Sequence, residues 1–218
     1  MSRLALVWSL ILKDVRIEFR NKYSFYSIGF YLIALVYIAY SSSGETSEAS
    51  WNALLWIILL FTLLVSVGRS FIAEDDRSLY YYFLVDNSAI LLAKICYHTC
   101  YSILLITMEL VLFQLFLPAT IDNFLLFILN LSLGAFGIST SLLLVSLITT
   151  NTRQQGVMMA VLGFPLLLPV LIIAVRNSKL ALEGKLASDI ASNLTYLISL
   201  DVIIIALVFI LFPYAWKN

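Results

Sequence analysis

FLLFILNLSLGAFGISTSLLLVSLIT, Phe124 to Thr149, is a run of 26 residues without one charged side chain. At about 1.5 Å per residue a helix of this length exceeds the ~30 Å hydrocarbon core of a bilayer. It also satisfies its own backbone hydrogen bonds, so it can sit in lipid without an unpaired polar group. A barrel strand would need alternating polarity, which the run lacks.

Five further stretches read the same way: Tyr23 to Tyr40, Trp51 to Val67, Ile95 to Leu117, Val157 to Val175 and Leu194 to Phe212. Four of the six spans carry no charge. The composition agrees, with 62% hydrophobic and 12% charged residues, against about 45–50% and about 25% in an ordinary soluble domain. A mean hydropathy of +1.00 belongs to a chain solvated mostly by lipid. The net charge of zero implies no nucleic-acid partner. The expectation is one all-α integral membrane domain over residues 1–218. Residues 1–22 form a surface helix and residues 23–217 a six-span bundle.

Basic residues set the expected orientation. Arg3, Lys13, Arg16, Arg20 and Lys22 precede the first span; Arg69, Arg77 and Lys94 flank the second connection, Arg153 the fourth, and Lys217 the end. The first and third connections carry none, so the positive-inside rule places both termini in the cytoplasm. Arg176, Lys179 and Lys185 in the fifth connection dissent, three of the 13 Lys and Arg. The N-terminal segment has a positive residue and an apolar run with no small-x-small cleavage site after it, so it is expected to stay on the mature protein.

Three non-spanning segments carry information. Leu4, Trp8, Ile11, Val15 and Phe19 form a stripe at helical spacing while Lys13, Arg16 and Arg20 lie on another face, the pattern of an amphipathic helix on a membrane surface. The connection from Phe71 to Asp86 places Glu74, Asp75, Asp76 and Arg77 before an apolar, aromatic stretch. It is much longer than the usual helix–helix connection of about 2–8 residues, so a docking role competes with that of a solvated loop. Between Arg176 and Asn193, Leu182, Leu186 and Ile190 recur every four residues, which predicts a short helix at the outer interface.

Chemistry-bearing motifs are few. The chain contains no GxxxxGK[ST], HExxH, GxSxG or CxxCH. Cys96 and Cys100 share a helix face and read as membrane-embedded free thiols, whereas His98, about 200° from Cys96, points elsewhere. A metal or haem site built from this trio is therefore not expected. Glu109 and Asp201 are the acidic residues well inside apolar runs; they mark either a polar functional site or hydrogen-bonded helix contacts. Pro165 and Pro169, one turn apart in the fifth span, each remove a backbone donor and predict a kink or local break.

Leu12-Lys13-Asp14-Val15-Arg16-Ile17-Glu18-Phe19-Arg20-Asn21-Lys22 resembles the opening of the CcmB family of haem exporter permeases. Phe71 to Asp76 with Lys94 beyond it resembles that family's acidic first cytoplasmic loop. Thr149 to Arg153, leading to Pro165-Leu166-Leu167-Leu168-Pro169-Val170-Leu171-Ile172, resembles its most recognisable stretch. The aromatic Ser78-Leu79-Tyr80-Tyr81 departs from the glycine and acids usual there.

The resemblance implies an ABC-2-type exporter permease of a bacterial inner membrane, with six spans and an interfacial N-terminal helix. It further implies a separate ATP-binding subunit of the CcmA type, a haem-handling membrane protein of the CcmC type, a small CcmD-type protein, a CcmE-type haem chaperone and a second copy of the chain. ATP would act through the partner, no cofactor would be bound by this chain itself, and haem would be the substrate or the cargo of the chaperone. The chain would not itself be an enzyme. Rival readings are a permease for another lipophilic substrate, an ion-driven secondary transporter, a membrane enzyme and an assembly scaffold. The secondary transporter would require internal repeats and paired midplane charges, and the enzyme a cluster of acids, histidines or metal ligands at one depth.

Overall fold

The computed structural model describes residues 3–20, 22–42, 47–67, 87–149, 155–185 and 187–215. These form seven helices: α1 (Arg3–Arg20), α2 (Lys22–Ser42), α3 (Glu48–Val67), α4 (Asn87–Phe116), α5 (Phe124–Thr149), α6 (Gln155–Leu182) and α7 (Ala187–Ala215). No strand occurs among the described residues.

The five helices α3 to α7 are long and apolar enough to cross a membrane. The apolar part of α2, Tyr26–Ser42, is shorter, with 17 residues giving about 25 Å of helix. Helix α1 ends at Arg20 and Lys22 opens α2.

The uncharged run that led the sequence reading is the enclosed axis of the bundle. Helix α5 packs against α3, α4, α6 and α7. From Gly137 to Leu147 every residue of it is buried, which requires apolar or small side chains all round the helix. Lipid offers helices no hydrophobic reason to associate, so close packing depends on small residues that let backbones approach. Gly134 lies under the indole of Trp56 on α3, and Gly137 lies against the carboxyl of Asp201 on α7 and Val170 on α6.

At the end of the bundle where α4 passes into α5, Trp51 clamps three helices. Its ring meets Phe113 edge-on at 5.3 Å and Phe127 at 6.1 Å. Its Nε1–H donates to the Leu117 carbonyl at 2.7 Å.

The structure corrects the reading of residues 176 to 193. No separate interfacial helix occupies them; α6 continues to Leu182 and α7 begins at Ala187. Leu182 and Ile190 are buried on these two helices, so the four-residue spacing came from the ends of long helices facing the core. The stop is chemical. Gly184 adopts φ +63°, the Lys185 N–H reaches the Leu180 carbonyl at 3.0 Å, and the helix closes as a Schellman motif. The turn is tied to the α4–α5 connection by Asn123, whose N–H donates to the Ala181 carbonyl at 3.1 Å and whose side chain donates to the Lys185 carbonyl at 3.2 Å. Helix α6 also runs without interruption through Pro165 and Pro169, so it is not locally broken there.

Candidate functional site

Three polar features stand out in this apolar bundle. The first lies where α3 and α5 begin and α6 ends. Asn52 on α3 donates to the Val175 carbonyl at 2.9 Å and accepts from the Ser178 hydroxyl at 2.7 Å. Ser178 in turn accepts from Trp56 Nε1 at 2.8 Å. Asn130 on α5 donates to the Ala174 carbonyl at 2.8 Å and accepts from Asn177 at 3.0 Å. Each buried bond has a net worth of about 0.5–1.5 kcal/mol, while a stranded polar group costs about 1–3 kcal/mol. The cluster therefore fixes the register of α3, α5 and α6. Sequence reasoning missed it, although the amides Asn52 and Asn130 inside apolar spans were the available signal.

The second feature is the pair of intramembrane acids. Glu109 on α4 and Asp201 on α7 are 2% and 3% exposed. Glu109 Oε1 and both carboxyl oxygens of Asp201 have no hydrogen-bond partner among the described residues. Asp201 is held against Gly137, where any larger residue would collide with it.

The third feature joins α1 to the start of α4. Asp14 Oδ2 lies 3.7 Å from Lys94 Nζ, and Asp14 Oδ1 lies 3.1 Å from Lys13 Nζ. Asp14 and Lys94 are both buried, whereas Arg16 and Arg20 are exposed and Glu18 is half-buried. The helix thus has a packing face built on Leu10 and Asp14, and other faces where Trp8, Leu12, Arg16 and Arg20 stand free of the bundle.

Cys96 and Cys100 are free and exposed, while His98 is buried with its ring edge-on to Tyr97 at 5.1 Å. The opposite faces expected from the helical spacing are therefore present. No group of three or more His, Cys, Asp or Glu side chains able to hold a metal occurs among the described residues. Glu74, Asp75, Asp76 and Arg77 lie outside the described residues, as does Arg153.

Comparison with known proteins gives the arrangement a relative. The family model for the CcmB protein matches residues 5–217. The chain is also similar to Heme exporter protein B of Pseudomonas aeruginosa, 27% identical over 211 residues that cover 92% of each chain. The match runs from the first turn of α1 to beyond the end of α7, and the chain belongs to the CcmB protein family.

Proposed function

We propose that this chain is the membrane-spanning subunit of a haem-exporter-type ABC transporter that acts in cytochrome c maturation. The observation that carries the reading is the family match over residues 5–217, together with a relative named as a haem exporter over 92% of its length. The chain has no nucleotide-binding loop of the GxxxxGK[ST] type, so a separate ATP-binding subunit of the CcmA type supplies the ATPase. Helix α2 serves as the first of six spans, α1 lies at the cytoplasmic interface, and both termini face the cytoplasm of a bacterial inner membrane.

Two jobs fit such a subunit: moving haem, or coupling ATP hydrolysis to release of the haem-loaded CcmE-type chaperone from its CcmC- and CcmD-type loading partners. The enclosed α5 favours the second. The axis of the bundle is filled by Leu131, Ala135, Ile138, Leu142 and Val145, each at most 1% exposed, and His98 is buried beside Tyr97. A haem-sized ligand would have to lie outside that axis, on a surface or between two copies of the chain.

ATP-driven movement enters through residues 71–86, with Glu74, Asp75, Asp76 and Arg77 as the polar part of the contact. Juxtaposed like charges can cost several kcal/mol. Replacing Glu74, Asp75 and Asp76 together by Lys is therefore expected to give an inserted protein that no longer retains its ATPase on purification. A triple variant that holds the ATPase at the parental ratio and still supports maturation refutes the docking assignment.

A further inference from the structure

Asp14 divides its two carboxylate oxygens between two lysines, one on its own helix and one on another. Lys13 belongs to the same helix, so its 3.1 Å contact joins nothing to anything. Lys94 belongs to α4, and its 3.7 Å contact is made with side chains only 6% and 9% exposed. A buried ion pair is costly to assemble and costly to break on one side; Asp14 would keep its contact with Lys13 on the same helix, but the charge contact between α1 and α4 would be lost. The pair adds a directional contact between α1 and α4 to the non-directional apolar packing of Leu6, Val7, Leu10 and Ile11.

The position of Lys94 gives this contact a consequence. Helix α4 starts at Asn87, immediately after the segment assigned above to ATPase docking, and Lys94 follows about two turns later. The docking segment is continuous in sequence with the first turn of α4. On the far side of the joint, α1 exposes Trp8 and Leu12 beside Arg16 and Arg20, the residues by which it would hold a membrane surface.

We propose that the Asp14–Lys94 pair is the joint through which α1 moves as one body with the start of α4 during the ATP-driven step, making both residues positioning residues for coupling. This rests on the docking reading of the preceding subsection.

The test uses the whole complex in lipid nanodiscs, with one spin label at the exposed α1 position Ser9→Cys and another at the native Cys96 in a Cys100→Ser background. In the parent the label-to-label distance stays constant when ATP is added. The double variant Asp14→Asn with Lys94→Gln removes both charges without stranding either, so its protein level is expected to match the parent. Its label distance becomes ATP-dependent, and cytochrome c maturation falls about ten-fold, within the usual range of coupling between sites. Asp14→Glu, which keeps the ion pair, restores maturation to near the parental level. A parent distance that shifts with ATP overturns the joint, and so does parental maturation in the neutral double variant. A parent complex that carries no ATPase refutes the docking reading and the joint together, whereas an ATPase-bearing parent matched by the neutral double variant refutes the joint alone.

Discussion

Substituting Gly134 by Ala would place a methyl group where the structure has none to spare. The new Cβ would lie 2.5 Å from Cη2 and 2.9 Å from Cζ3 of Trp56, and 3.0 Å from the Cβ of Ala174. The indole cannot swing away freely, since it is 1% exposed and its Nε1–H is bonded to Ser178 at 2.8 Å. Overpacking of this kind costs about 1–3 kcal/mol. If the ring moves far enough to lose its bond, about 1 kcal/mol more is lost, for a total of about 2–4 kcal/mol. Gly163→Ala is the matched control. Its Cβ would meet only Leu167 at 3.9 Å and Val145 at 4.0 Å, both ordinary contacts, so the better helix propensity of Ala should leave it neutral or stabilising by up to ~1 kcal/mol. The assay is unfolding of the purified protein in mixed detergent–SDS micelles, followed by circular dichroism. Adding Trp56→Phe to Gly134→Ala should relieve part of the clash, with a coupling of at least ~1 kcal/mol. Equal stability of Gly134→Ala and Gly163→Ala would refute the proposed contact between α3 and α5.

Single cysteines at Ser47 and Ser188, in a background lacking Cys96 and Cys100, are expected to react with an impermeant thiol reagent added outside sealed cells, while one at Ser78 does not; the reverse pattern would invert the orientation. Replacing His98 by Ala, or both cysteines by Ser, is expected to leave cytochrome c maturation largely intact. Complete loss of maturation at normal protein level would assign the replaced side chain a ligand role.

How much of this was legible depended on the range of the interaction. The uncharged run of α5 and its neighbours is a local property, so the five helices long and apolar enough to cross a membrane could be located from side-chain type alone. Helix α1 was legible only in part. Its apolar stripe through Trp8 and its basic residues follow from periodicity, but the face that binds the bundle centres on Leu10 and Asp14. The cause is Lys94, 80 positions away, and no local pattern reveals such a partner. The amide cluster was hidden for the same reason, since Asn52 acquires its role only when Val175 and Ser178 arrive beside it. The segment from 176 to 193 was misread because four-residue spacing cannot distinguish a short separate helix from the ends of two long ones. Gly184, followed by Lys185, was the local sign of a helix stop.

The central claim is that this bundle is driven by a separate ATPase, and the most direct measurement is to purify the chain in mild detergent from its own cells and identify and assay what accompanies it. The account predicts an ATP-binding subunit in near-equal amount, ATP hydrolysis by the purified complex, and companion haem-handling membrane proteins. A chain that purifies without any ATP-binding protein, from cells whose c-type cytochromes mature normally when its gene is deleted, would contradict it.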